Sequence, residues 1–121
     1  MANYSKQLER TKGRKLGGKV IVMHFALLEH PNYIRLSSSA KALLLDLKMQ
    51  YNLANNGNLS CCHKLMQPRG WKSRTTIEKA RAELEQTGWI VRTQQGSLNR
   101  PNLYALTFHE INECRGKPDI T

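Results

Sequence analysis

Apolar residues recur at helical spacing in two stretches of the chain, and the first covers residues 40–51. Leu43, Leu44, Leu47 and Tyr51 stand at i, i+1, i+4 and i+8, the spacing of a helix that packs one face against a core. The three serines just before this stretch can each accept a hydrogen bond from a free N–H of a first helical turn. The pattern therefore predicts a helix over residues 40–51 with a serine cap.

The second helical stretch, residues 73–88, has marked ends. Ile77, Ala80 and Leu84 form one apolar stripe at i, i+3 and i+7. The serine that opens the stretch suits an N-cap, and the glycine that closes it can take the left-handed conformation that ends a helix. We expect a short helix with one buried face and one polar, basic face.

Between these helices the chain divides into a turn, an extended piece and a third, shorter helix. Residues 52–58 are rich in Asn and contain Gly, residue types that tolerate positive φ. Residues 59–60 are expected to be extended, and Ser60 to cap a helix over residues 61–66 that a Pro-Arg-Gly run ends. Two short helices joined by a tight turn, the second basic at its start, are typical of a helix-turn-helix.

Strand-like residues flank the helices at both ends. Residues 89–93 and 102–108 are rich in β-branched and aromatic side chains and enclose a polar loop with a glycine, which predicts a β-hairpin. Residues 20–28 predict a short strand followed by one helical turn before Pro31. The fold class expected from this order is α+β, mostly helical: a winged helix-turn-helix, with a three-helix core and a C-terminal hairpin as the wing.

The charge balance indicates an anionic partner. Nineteen Lys and Arg oppose nine Asp and Glu, so the 121-residue chain has a formal net charge of +10. Nucleic acid is the first expectation and an anionic membrane the second, and a protein that is merely basic is the alternative. No apolar run approaches the roughly 20 residues that span a bilayer. With nucleic acid as the preferred partner, we expect no membrane partner.

Domain boundaries follow from composition. We expect a basic N-terminal arm over residues 1–18, one winged-helix domain over residues 19–110 and a mixed-charge tail over residues 111–121. The arm could lie along phosphates through Arg14 and Lys15, or be a solvated tail.

The cysteines favour a reducing compartment and no catalysis. Three cysteines form no disulfide framework, and no export signal is evident, so the cytoplasm, at the nucleoid, is the expected location. Cys61, Cys62 and His63 lack the Cys-x₂-Cys spacing of structural zinc, and no acid or pocket supports a Cys–His nucleophile. Buried thiols are the preferred interpretation, and we expect no metal, no cofactor and no enzymatic activity.

Positive charge concentrates around the second predicted helix. Residues 64–81 contain six cations against a single acid, Glu78, and two more arginines flank the hairpin. The eight cations are Lys64, Arg69, Lys72, Arg74, Lys79, Arg81, Arg92 and Arg100. This local density is stronger evidence for a nucleic-acid surface than the overall charge.

Individual residues of the basic helix each have two interpretations. Arg74 can offer a bidentate fork to guanine or contact a phosphate, and Lys79 can reach a base or a phosphate. Glu78 could accept from cytosine N4, although pairing with Arg74 or Arg81 along the helix is the preferred interpretation. The hydroxyls at positions 73, 75 and 76 form a phosphate seat at the helix N-terminus.

Four aromatic residues stand at element starts and on the second strand. They can fill the core between hairpin and helices or stack on unpaired bases, and their positions favour the core. They are Trp71, Trp89, Tyr104 and Phe108.

Several motifs resemble a known family. Leu36-Ser-Ser-Ser-Ala-Lys-Ala-Leu-Leu-Leu and Asn55-Asn-Gly-Asn-Leu-Ser60 are similar to winged helix-turn-helix DNA-binding proteins of bacterial phages, plasmids and integrated elements. That family includes the N-terminal domains of phage and plasmid replication proteins. The stretch from Trp71 to Thr93 resembles its recognition helix and first wing strand, and Leu103-Tyr-Ala-Leu-Thr-Phe108 its closing strand. Two departures are Arg81, where an aliphatic residue is usual, and Trp71, where a small one is common.

The resemblance implies double-stranded DNA binding by a transcriptional regulator or by a replication or maintenance factor of a mobile element. The alternative is a winged-helix adapter that docks a protein in a nucleoprotein assembly. A homodimer is compatible with either hypothesis, as is an element-encoded or host protein partner. The candidate DNA-binding residues are Ser73, Arg74, Thr75, Thr76, Glu78, Lys79, Lys64, Arg69, Lys72, Gln95, Ser97, Asn99, Arg100, Arg92, Arg14 and Lys15.

Overall fold

The structure is a computed structural model that describes residues 18–108. Five α-helices, a 3₁₀ turn and two strands follow in chain order. They are α1 (Phe25–Leu28), α2 (Pro31–Ile34), α3 (Ser38–Gln50), α4 (His63–Met66), the 3₁₀ turn (Gln67–Arg69), α5 (Arg74–Gln86), β1 (Ile90–Gln94) and β2 (Leu103–Leu106). The predicted tail and all but the last residue of the predicted arm lie outside the described residues.

Helix α3 forms as predicted, two residues earlier than expected. The Ser37 hydroxyl accepts a hydrogen bond from the backbone N–H of Ala40 at 3.1 Å, so one of the three serines is the cap. Leu43, Leu44 and Leu47 are buried in the core, which confirms the predicted stripe.

Helix α5 has the predicted ends. The Ser73 hydroxyl accepts from the backbone N–H of Thr76 at 3.3 Å, and Gly88 follows the helix with φ of 85°. The apolar stripe on α5 is buried against α3, with all three of its side chains in the core cluster. These two helices form the centre of the domain.

The hairpin is antiparallel and receives a third short partner. β1 and β2 pair with Ile90 opposite Leu106 and Arg92 opposite Tyr104. Leu59 forms an isolated bridge to Tyr104, with N–H···O distances of 3.1 and 2.8 Å in the two directions. The extended piece before α4 is thereby attached to the wing.

Two local predictions were wrong. The β-branched segment around Val20 and Val22 is not a strand, because no described segment pairs with it, and both valines are exposed. Helix α4 begins at His63 rather than residue 61, and Ser60 does not cap it, since its hydroxyl accepts from the N–H of Cys62 before the helix begins.

The aromatic residues pack in the interior, as expected. Trp71 and Tyr104 are buried, and the Trp71 indole N–H donates to Asp46 Oδ2 at 2.6 Å. Trp89 and Phe108 pack against the core, and their rings contact each other edge to face with centroids 6.0 Å apart. Three main helices followed by a two-stranded hairpin make this a winged-helix fold. Within residues 18–108 no helix has the length and apolar character to cross a membrane.

Candidate nucleic-acid interface

Four cations on α4, just before α5 and in the first half of α5 are exposed, and none has an ion-pair or hydrogen-bond partner among residues 18–108. Among residues 18–108, no ion pair or hydrogen bond involves the charged groups of Lys64, Lys72, Arg74 or Lys79. The N-terminus of a helix has a partial positive charge of its own, which adds to theirs. This end of α5 therefore presents positive charge that the described fold does not neutralise.

The acids of α5, by contrast, are engaged within the fold. Glu78 pairs with Arg81 at 3.0 Å, and Glu85 contacts Arg81 at 2.6 Å and Arg92 at 3.6 Å. Glu83 accepts two hydrogen bonds from Ser37. The negative charge of the helix is thus largely compensated. Of the two ion pairs predicted for Glu78, the one with Arg81 forms.

Arg81 occupies its unusual position by lying along the helix rather than entering the core. Its side chain is 16% exposed and contacts Glu78 one turn before it and Glu85 one turn after it. A guanidinium with two carboxylate partners and an apolar stem can replace an aliphatic residue at a core edge. These two contacts account for an arginine at a position where an aliphatic residue is usual.

Three other predicted cations are held by neighbouring side chains. Arg69 pairs with Asp46 at 3.2 Å, while Arg92 lies over the Tyr104 ring at 5.7 Å and donates to Gln95 at 3.1 Å. Arg100 donates to the Gln94 side chain at 2.6 Å. These contacts hold the turn before α5 and the wing in place. A phosphate could therefore bind only those guanidinium N–H groups of the three arginines that make no contact within the fold.

The polar wing residues lie together on an exposed loop. Gln95, Ser97, Asn99 and Arg100 are all exposed, and Ser97 pairs with Arg100 across the end of the hairpin. The predicted phosphate seat is also exposed: Ser73, Thr75 and Thr76 precede or occupy the first turn of α5. Arg14 and Lys15 lie outside the described residues.

The Cys-Cys-His run places its two thiols in different environments. Cys61 is buried, and this burial raises the pKa of its thiol to about 12, whereas Cys62 is exposed. No group of three His, Cys, Asp or Glu side chains suited to a metal ion occurs between residues 18 and 108. The described geometry thus offers neither a reactive thiolate at position 61 nor a metal centre.

Two residues near the candidate interface, Leu98 and Glu83, had no role predicted from the sequence. Leu98 is 97% exposed at the end of the wing. Glu83 fixes α5 to the start of α3 although it lies 46 residues from Ser37 along the chain. A scan for apolar residues inside polar turns would have found Leu98, but the Glu83 contact has no local signal.

Comparisons with known proteins give one structural likeness. A solved structure described as "N-Terminal domain of DNA binding protein" is similar to this chain with a TM-score of 0.55, at 23% sequence identity. The similarity covers 87% of this chain and 82% of that one. No family model and no curated protein matches the sequence. The chain therefore shares its fold with a domain of a DNA-binding protein.

Proposed function

We propose that this chain is a sequence-specific double-stranded DNA-binding protein. Helix α5 would enter the major groove, which is wide enough to admit a helix, and the wing loop would lie on the backbone or in the minor groove. In a bacterial cell this activity would take place at the nucleoid.

The observation that carries the proposal is the contrast between cations without a partner near the N-terminal half of α5 and cations elsewhere in the described fold that are paired. Structural cations are normally compensated, as Arg69, Arg81 and Arg92 are here. Those at the start of α5 make no such contact in the described fold, so their positive potential is available to a polyanion. A DNA duplex supplies one negative charge about every 1.7 Å of its axis.

The roles within the interface follow from side-chain chemistry. Arg74 is the leading candidate for reading guanine, because its guanidinium matches O6 and N7 in a bidentate fork. Lys79 would contact a base or a phosphate, while Lys64 and Lys72 would contact phosphates beside the groove. The hydroxyls of the first turn would hold a phosphate at the helix N-terminus.

A selection experiment tests this assignment directly. The full chain is titrated by fluorescence anisotropy against random duplexes at two salt concentrations, and the bound fraction is sequenced. We expect an enriched motif and a steep loss of affinity with salt. Arg74→Ala should weaken binding to that motif by about 1–3 kcal/mol and relax one position of it.

Arg35→Ala is the matched control for Arg74→Ala. Arg35 is an exposed arginine that lines a small cavity with Glu83 and Thr87, at the opposite end of α5. The 13 residues of the helix put the two ends about 18 Å apart. Equal losses in Arg35→Ala and Arg74→Ala, or a motif unchanged by both Arg74→Ala and Lys79→Ala, would contradict the assigned reading face.

The finer role rests on the family resemblance of the sequence. It favours a transcriptional regulator or a replication or maintenance factor of a bacterial mobile element. Placing the selected motif upstream of a reporter promoter, and separately in a plasmid replication origin, would distinguish these roles.

An adapter in a nucleoprotein assembly is the second candidate function. Leu45 and Met49 on the outer side of α3, and Leu65 on α4, are each about half exposed and lie around neighbouring shallow cavities. Apolar side chains grouped in this way suit a protein contact. Leu45→Glu should leave DNA binding intact if this surface serves only a partner.

A further inference from the structure

The end of the wing carries a leucine that the fold does not use. Leu98 is 97% exposed, more than any other large apolar residue that the structure describes. A side chain with this exposure buries almost no area and adds almost nothing to stability. The fold therefore offers no reason for an apolar residue at this position.

The backbone does not require leucine there either. Positive φ occurs at only one non-glycine residue of the described chain, Leu53, so Leu98 and Asn99 form a turn that nearly any residue can adopt. Polar residues are the usual occupants of such an exposed turn.

The loop that presents Leu98 is held in one shape. Ser97 and Arg100 exchange backbone hydrogen bonds of 2.9 and 3.2 Å on either side of the turn. Behind them, the N–H of Gly96 donates to Asn102 Oδ1 at 2.5 Å, and a Cβ at position 96 would come within 2.8 Å of that oxygen. An ordered loop can present a protruding side chain at little entropic cost.

The side chains beside Leu98 suit the minor groove of DNA. Ser97, Asn99, Arg100 and Gln95 supply hydroxyl, amide and guanidinium donors, the groups that meet the N3 and O2 acceptors there. No Asp or Glu occurs in the chain from residue 86 to residue 109, so the hairpin itself carries no carboxylate. Arginine also favours the negative potential of a narrow minor groove.

We propose that Leu98 is an apolar wedge that enters the minor groove, partly unstacks one base step and kinks the duplex. Proteins that deform DNA in this way insert Leu, Phe, Ile, Met or Pro between base pairs, with Arg, Asn or Gln beside the wedge. This inference rests on the proposed DNA binding. It adds DNA deformation and a preference for easily unstacked steps such as TA or CA at the wing.

A single exposed leucine is ordinary on a protein surface. What distinguishes Leu98 is the combination of three observations: nearly complete exposure, a turn fixed by hydrogen bonds on both sides, and neighbours that all suit the minor groove. A protein or lipid contact would use the exposure alone and would not use the polar groups of Ser97 and Asn99 on either side of Leu98.

The test uses the full chain and the duplex selected in the binding experiment. The duplex carries a fluorophore pair at its ends, to report bending by energy transfer, and 2-aminopurine at each candidate step in turn, to report unstacking. The variants are Leu98→Ser, which removes the wedge, Leu98→Met, which keeps an apolar one, and Val20→Ser as a control at another exposed apolar residue.

We expect the wild-type chain to raise energy transfer and to brighten 2-aminopurine at one step. Leu98→Ser should lose both signals while keeping the motif read by α5, and Leu98→Met and Val20→Ser should keep them. Thermal unfolding of each variant should match the wild type, because the substituted side chains are exposed.

The outcomes separate the two proposals. A bound duplex that stays straight, or a bend that survives Leu98→Ser, would overturn the wedge and leave DNA binding standing. A wild-type chain that binds no duplex at all would overturn the proposed function and the wedge together.

Discussion

The carboxylate of Glu83 on α5 accepts two hydrogen bonds from Ser37, one from its backbone N–H at 2.8 Å and one from its hydroxyl at 2.7 Å. The same hydroxyl accepts from the N–H of Ala40 and caps α3. A single serine therefore joins the start of α3 to the last third of α5. The contact helps to set the orientation in which α5 presents its basic end.

Glu83→Ala should destabilise the fold. It removes two charge-assisted hydrogen bonds, and the expected loss in free energy of unfolding is about 1–3 kcal/mol, nearer the lower figure because the pair is partly exposed. Urea unfolding measures the loss. Glu29→Ala is the control, since Glu29 is exposed and its side chain makes no hydrogen bond or ion pair within the described residues, and it should change stability by less than about 0.5 kcal/mol. Equal midpoints for the two variants would contradict a structural role for the contact.

Asn56→Asp should be more damaging than any nearby surface change. The Asn56 side chain is fully buried, and it donates to the Leu106 carbonyl at 2.9 Å and accepts from the Leu106 N–H at 2.7 Å. A carboxylate cannot donate, and it would be buried with its charge facing that carbonyl, so the loss should be about 3 kcal/mol or more at neutral pH.

The pH dependence of Asn56→Asp has a definite sign. Burial would raise the pKa of the new carboxyl above its unfolded value, so its cost should fall as the pH drops towards 4 and the group becomes a neutral donor. Asn58→Asp is the matched control, because Asn58 is exposed in the same turn and its side chain has no partner in the described chain. Comparable losses in the two variants, or a loss independent of pH, would argue against the buried Asn56 contact.

Local signals predicted the fold well where local physics decides it. The ends of helix α5 were predicted correctly because each is set by a residue of the helix itself or next to it. Ser73 accepts a hydrogen bond from a free N–H of the first turn, and Gly88 takes the positive φ that ends the helix. The strand predicted around Val20 failed because a strand requires a neighbour, and its β-branched residues carry no information about whether one exists.

Contacts between distant segments explain the rest. Asn56 was predicted to be a turn residue because it lies in an Asn-rich stretch. Its side chain instead hydrogen-bonds to the backbone of Leu106 in β2, 50 residues away. Within that turn, positive φ occurs at Gly57, as its residue type allows, and at Leu53, but at no Asn. In the candidate interface, residue types predicted the basic surface, but only the structure distinguishes Arg92, held by Glu85, from Arg74, which has no such partner.

The two adjacent cysteines should differ sharply in reactivity. Burial raises the pKa of the Cys61 thiol to about 12, which leaves about a thousandfold less thiolate at pH 8 than an ordinary cysteine has. Iodoacetamide at pH 8 should therefore modify Cys62 in the folded chain and spare Cys61. The measurement is mass mapping of the peptide that contains both, separately from the peptide that contains Cys114.

Cys62→Ser is the control for that experiment. In this variant the peptide should stay unmodified until denaturant is added, and it should then react fully. Raising the pH from about 9 towards 12 should also weaken the fold, since the unfolded thiol ionises before the buried one does. Rapid modification of folded Cys62→Ser at position 61 would show that the thiol is not buried.

The salt dependence of DNA binding should separate unpaired from paired cations. Lys64 and Lys72 are exposed and have no partner in the described fold, so replacing both with Ala should leave stability within about 0.5 kcal/mol of the wild type. If each contacts one phosphate, the double variant should bind all duplexes more weakly, without a change of motif. Its plot of log affinity against log salt should flatten by about 0.9 for each contact.

Arg35→Ala, at the far end of α5, should keep the wild-type slope. A double variant with an unchanged slope would remove both lysines from the interface, and the positive charge at the start of α5 would then need another explanation.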